Sequence, residues 1–227
     1  MYLFTGFSEK IAGLMRNYSS LFYIGTGVTL LLSALTVGFG VILGSFLSML
    51  KMSKIKPLSW IATVYIEIVR GTPLLLQLYL FYFVIPEVLS FVEISEFTSV
   101  AMALALNSAA YVAEIIRAGI QSVDKGQVEA SRSLGLTKGQ TMWRIVFPQA
   151  VKNILPSLCN EFIMVIKETS LASTFFIGDI MTQYKKIQGI TYLAFEPLVI
   201  VAAIYFALTF VLSKLVAAYE RRLKTSD

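Results

Sequence analysis

The sequence predicts an all-α integral membrane protein of five transmembrane helices, with its N-terminus outside and its C-terminus cytoplasmic. Three observations lead there. Of 227 residues, 56% are hydrophobic and 15% charged, and the mean hydropathy is +0.73, whereas a soluble chain is about one quarter charged. Long uncharged stretches recur at the roughly 20 residues a helix needs to cross about 30 Å of hydrocarbon. Lys and Arg are also distributed unevenly between alternate loops.

The first span, 21–50, follows from the absence of any ionisable residue between Arg16 and Lys51. Gly25, Gly27, Gly38, Gly40 and Gly44 lie along it and favour close approach of another helix. The second, 57–85, carries Glu67 and Arg70 ahead of Gly71-Thr72-Pro73, a combination that kinks or interrupts a helix. The third, 97–116, is uncharged until Glu114, and the fourth, 153–177, contains Glu161, Lys167 and Glu168. The fifth, 197–217, is uncharged up to Lys214. The N-terminal residues lack the basic, apolar and small-residue order of a cleavable signal, so the first span is expected to be retained.

Orientation follows from the basic residues. Thirteen Lys and Arg fall to the side holding loop 51–56, the long loop 117–152 and the C-terminal tail, against four on the other side. The first side is therefore cytoplasmic, and the multi-pass topology accounts for the net charge of +5 without a nucleic-acid partner. The chain has no histidine and one cysteine, Cys159. That removes histidine-based catalysis and proton shuttling, zinc sites and internal disulfides. No catalytic residue, metal site or bound cofactor is expected.

The loop 117–152 is long for a connection between membrane helices, which marks it as functional. Asp124 can cap a helix that takes in Glu129 to Arg132 and ends at Gly135, and Thr137 can cap a second one reaching the Pro148 region. Glu129-Ala130-Ser131, Gly135, and Ile145-Val146-Phe147-Pro148 nine residues later resemble the EAA motif of ABC importer permeases, E-A-A-x3-G-x9-I-x-L-P. Ser131 stands for the second alanine and Phe147 for leucine. Further segments extend the resemblance: Arg70 to Leu78 (RGTPLLLQL), Asn107 to Arg117 (NSAAYVAEIIR), Gly126-Gln127, Pro148-Gln149-Ala150, Asn160 to Ile163 and Lys167 to Leu171. Together they are similar to the polar amino acid branch, the arginine, glutamine and histidine type of uptake permease.

The resemblance implies the small type I importer permease fold in the prokaryotic cytoplasmic (inner) membrane. It implies that Glu129, Ala130, Ser131, Gly135, Ile145 and Pro148 form a coupling element docked on a separate ATPase subunit, present in two copies. It implies a second permease subunit, identical or related, and an extracytoplasmic solute-binding protein. The chain has no G-x-x-x-x-G-K-[ST], so ATP and magnesium belong to the ATPase. The substrate expected is a polar amino acid, basic ones favoured, with glutamine or cystine as alternatives. A membrane scaffold that anchors an ATPase and passes no solute would carry the same loop.

Six ionisable residues remain inside the spans: Glu67, Arg70, Glu114, Glu161, Lys167 and Glu168. Each costs roughly 2.5–3.5 kcal/mol at a helix centre, so pairing or function must retain it. Glu67 and Arg70, one turn apart, are expected to pair. Glu161 has no basic residue three or four positions away and is the first candidate for a substrate contact. Asn107, Tyr111 and Glu114 make one polar stripe on the third span. With Thr72, Gln77 and Arg70 these complete the expected substrate site, which offers donors to a carboxylate and acceptors to an ammonium group. Four carboxylates against two bases in the membrane suit a cationic side chain.

Overall fold

The computed structural model describes residues 2–91 and 93–224, and their side chains over 6–91 and 93–221. Residues 1, 92 and 225–227 of the expected 1–227 domain, and the side chains of Arg222 and Lys224 in the basic tail, lie outside this description. Every regular element described is helical: α1 (Tyr2–Lys51), α2 (Lys56–Gly71), α3 (Leu74–Val88, with a π turn at Leu80–Val84), α4 (Glu96–Gln121), α5 (Lys125–Ser133), α6 (Lys138–Thr141), α7 (Phe147–Glu168), α8 (Ile180–Thr191) and α9 (Phe195–Lys224).

Three of these are long and apolar enough to cross a membrane: Gly6–Lys51, Glu96–Gln121 and Phe195–Arg221. A fourth arises if α2 and α3 are counted together, but they are bent by 106° at the break. The kink expected at Gly71-Thr72-Pro73 is thus a full interruption, since Pro73 has no amide to donate and Thr72 is extended, with φ −118° and ψ 148°. The expected span 153–177 begins earlier, as α7, and becomes a 3-10 helix over Thr169–Phe175. Polar residues including Lys152, Asn153, Asn160 and Glu161 dilute its hydropathy, so five uniformly apolar crossings are not present among the described residues. The N-terminal residues ahead of the first expected span continue the same unbroken helix α1.

The chain divides into two compact units, with α1, α4, α7 and α9 each contributing to both. The first comprises Met1–Leu35, Leu75–Leu104 and Ile163–Lys214. Its core joins Leu14 and Phe22 of α1 to Ile180 and Ile187 of α8 and Ile200 and Val201 of α9. Lys10 reaches Glu196 at 3.0 Å, tying α1 to the start of α9. Asp179 caps α8 by accepting from the Met181 amide at 3.0 Å and from the Thr182 hydroxyl, while its side chain is fully buried. Burial pushes the Asp179 carboxyl above its ordinary value of 3.8, and those donors partly oppose the shift.

The second unit comprises Thr36–Leu74, Ala105–Phe162 and Leu215–Asp227. Here α1 lies hard against α4: a Cβ on Gly40 would stand 2.8 Å from Ser108 Oγ, and one on Gly44 2.8 Å from the Ala109 carbonyl oxygen. Gly38 by contrast faces open space. Ile66 of α2 packs on Ala110 and Ala113 of α4. Val123, Val146, Ala150 and Ile154 join the end of α4 to α7.

Candidate functional site

Of the expected site residues, Arg70, Tyr111 and Glu114 come together beside α4, within the second unit. A cavity of about 650 Å3 is lined by Arg70, Tyr111, Glu114, Ser122, Asn153 and Ser157 among others. α4 supplies Tyr111 and Glu114, and α7 supplies Asn153 and Ser157. The two helices can form such a groove because Gly119 presents no side chain to Ile154. Asn153 then donates from Nδ2 to Ser122 Oγ at 2.9 Å, closing one end.

Glu114 does not face this cavity as a free carboxylate. Lys51 Nζ stands 2.8 Å from Oε1, Arg117 Nη2 2.8 Å and Arg70 Nη1 3.8 Å from Oε2. Arg117 also bonds Gln121 Oε1 at 2.6 Å. One carboxylate therefore gathers three cations from the end of α1, the end of α2 and α4 itself, leaving an excess of positive charge. Arg70, placed over the Tyr111 ring at 5.4 Å, is 42% exposed at its side chain and remains open to an anion. The expected pairing of Glu67 with Arg70 is not formed among the described residues. Glu67 is exposed, and Arg70 is drawn to the carboxylate already held by Lys51 and Arg117.

Glu161 lies one turn beyond Ser157 on α7 and is half-buried. Its Oε1 accepts from Ser108 Oγ at 2.9 Å, a bond that fixes the carboxylate against α4. Ser108 was not among the expected site residues, although its place beside Asn107 on the polar stripe was the available signal. Asn107 is 4% exposed. Thr72 donates to the Ile68 carbonyl at 2.9 Å. Gln77 is half-buried on α3, in the other unit.

The coupling segment has the expected caps. The Asp124 side chain accepts from the Gln127 amide, and Thr137 and Gln140 form a reciprocal capping box. Gly135 adopts φ +88°, a left-handed conformation that closes α5 and admits glycine without strain. The second helix does not stop near Pro148. It passes from α6 through a π turn at Met142–Val146 into α7, so Pro148 lies inside one continuous helical run, directly after the π turn, a helix irregularity that accommodates a proline. Ser131 is 5% exposed, with its hydroxyl 2.8 Å from the Val128 carbonyl and 3.1 Å from Thr141 Oγ1, linking α5 to α6. Glu129, Ala130, Gly135 and Pro148 are exposed, and Ile145 is half-buried. Leu134 at 82% and Trp143 at 68% add exposed apolar surface that the motif did not single out.

Long apolar helices, a polar groove between α4 and α7 and a capped helical pair between them define a membrane transport component. Residues 36–225 match the family model described as binding-protein-dependent transport system inner membrane component, and the chain belongs to that family. It is 43% identical, over 89% of its length and 92% of the relative's, to the arginine transport system permease protein ArtQ of Bacillus subtilis. It is 41% identical, over 92% of its length and 97% of the relative's, to the putative glutamine transport system permease protein GlnP of Rickettsia conorii. A solved structure described as an amino acid ABC transporter with histidines superposes with a TM-score of 0.88 at 50% identity, covering 92% of this chain and 96% of that one.

Proposed function

We propose that the chain is the permease subunit of an ATP-driven amino acid importer and forms the pathway for polar, preferentially basic, amino acids. The observation that carries the substrate reading is the carboxylate of Glu161, held by Ser108 and one helical turn beyond Ser157 of the groove that Arg70 also lines. A zwitterionic amino acid presents a carboxylate and an ammonium group, and a basic one adds a second cation. Arg70 complements the first, while Glu161, with Asn107, Tyr111 and Thr72 as further polar contacts, complements the cations. Glu114 serves this site by anchoring Arg70. Relatives named for arginine and for glutamine transport support the amino acid class and leave two substrates to compare.

In this reading α5 docks on an ATPase through Glu129, Ala130 and Leu134, and the Ser131 link carries its displacement through α6 into α7, the helix that bears Glu161. Five crossings with the N-terminus outside follow if the α2–α3 pair and α7 each cross once. A second permease subunit, two ATPase subunits that use ATP and magnesium, and an extracytoplasmic solute-binding protein complete the assembly in the inner membrane. The test is uptake by the reconstituted complex. Glu161→Gln should reduce arginine and lysine uptake about tenfold or more, the scale of one charged hydrogen bond, and glutamine uptake far less. Equal losses for all three would remove Glu161 from the choice of substrate.

A further inference from the structure

The coupling segment encloses a second cavity, of about 800 Å3, that the transport reading leaves unused. Its floor is apolar, with Ile120 and Val123 at the end of α4, Val128 on α5 and Val146 ahead of α7. Its rim carries Lys125, Arg132 and Lys138. Lys54, from the short connection between α1 and α2, stands close enough to Lys138 that it, together with Arg132, holds the Lys138 ammonium below its ordinary value. Four cations from three stretches of chain thus converge on one opening. Among the described residues the ion pairs are centred on Glu114 and Glu196, and none involves these four. Glu129, on the same helix as Lys125 and Arg132, is ion-paired with none of them, and like charges gathered so repel one another, an arrangement that an anion relieves.

The position of the cavity narrows the anion. Gln121, the last residue of the apolar helix α4, lines it, so the floor lies where hydrocarbon gives way to the cytoplasmic surface. Lys125, Val128 and Arg132 share one face of α5, while Glu129 lies at its edge, outside the cavity lining, and Ala130 and Leu134 lie on the opposite face. A cationic rim over an apolar floor at this depth matches a phosphoester headgroup with its chain attached. We propose that this cavity binds the phosphoester group of an anionic lipid from the cytoplasmic leaflet, or a soluble phosphate of the same chemistry, and that occupancy supports transport. The inference rests on the reading above that the Ala130 and Leu134 face docks on the ATPase, because that contact leaves the cavity face open.

The experiment uses the purified complex of the full chain with its ATPase. Binding of spin-labelled phosphatidylglycerol and spin-labelled phosphatidylcholine is compared in detergent. ATP-driven amino acid uptake is compared in vesicles of phosphatidylcholine alone and of phosphatidylcholine with about one third phosphatidylglycerol. The wild type should prefer the anionic probe and transport faster in the mixed vesicles. Lys54→Gln with Lys138→Gln should lower that preference about 25-fold, at roughly fivefold per lysine, and abolish the stimulation, while uptake in phosphatidylcholine alone is unchanged. Lys138→Arg should behave as the wild type. Binding of inorganic phosphate by the wild type and not by the double variant, without a lipid preference, assigns the soluble source. Equal binding of both lipids and no phosphate binding would overturn the proposal, as would loss of ATPase docking in the double variant in both vesicle types. A wild type with the lipid preference and no ATP-driven uptake in any vesicle would sustain the site and refute the transport reading.

Discussion

Ser108 shows how one side chain can decide what another does. Its hydroxyl is 2.9 Å from Glu161 Oε1, and a hydrogen bond to a charged group contributes about 1.5–3 kcal/mol. Ser108→Ala should therefore raise the KM for arginine about tenfold with little change in kcat, and change the KM for glutamine less. An unaltered arginine KM would show that Ser108 does not orient the carboxylate. Asp179 is a different buried acid, outside the spans and engaged as a helix cap. Its folded pKa lies above the ordinary 3.8, so the ionised form is penalised by folding. Below 3.8 both folded and unfolded forms are protonated and no penalty exists. As pH rises through the folded pKa the penalty appears and stability falls. Asp179→Asn keeps a capping oxygen and should flatten that fall, read as the thermal midpoint of the detergent-solubilised protein across acidic pH. Identical profiles for the two proteins would sink this assignment.

At the scale of elements, the α5–α6 hairpin is the part most visible in the sequence, because its determinants are local. Asp124, Gly135 and Thr137 act within three residues of their own positions, through caps and one left-handed turn. The motif's Ser131 has a local partner in the Val128 carbonyl, but its link to Thr141, ten residues away, had no such local reading. Placing a side chain at Gly135 forces a positive φ on an L residue, at about 1–2 kcal/mol. Gly135→Val should thus loosen the turn, weaken retention of the ATPase several-fold in a pull-down, and lower the amount of amino acid moved per ATP. Unchanged retention and unchanged coupling would show that the turn is not part of the docking element. The continuation of α6 through a π turn into α7 was not legible. Pro148 looked like a stop, and only the structure shows that a π turn directly before it lets the helix run on through the proline.

For the whole molecule, composition identifies the solvent and loop charge predicts the orientation. The single cysteine makes that orientation testable, because Cys159→Ser yields a cysteine-free background. Cysteines placed at Ser133 and at Tyr192, two exposed positions, should be labelled by a membrane-impermeant maleimide from the cytoplasmic and the extracytoplasmic side respectively. Labelling of both from one side would contradict the expected topology. The three long helices Gly6–Lys51, Glu96–Gln121 and Phe195–Arg221 were readable as uninterrupted apolar runs. α7 was harder to read as a crossing, because a helix that carries polar groups toward protein neighbours lacks the uniform hydropathy of one facing lipid.

The amino-acid sequence by itself determined the membrane environment, the capped coupling hairpin and which ionisable residues needed a reason to be in the spans. Each of these depends on composition or on neighbours within a few residues. Only the tertiary structure decided the partners of those charges. Glu114 took Lys51, 63 residues away, and Glu161 took Ser108, 53 residues away, while Arg70 left Glu67, one turn away, for a carboxylate on another helix. Spacing along a helix lists the pairs that can form, but helix packing sets the field each charge experiences. Close contacts such as those at Gly40 and Gly44 bring α1 and α4 together, and charges distant in sequence then pair as closely as those a turn apart, Lys51 and Arg117 both standing 2.8 Å from Glu114.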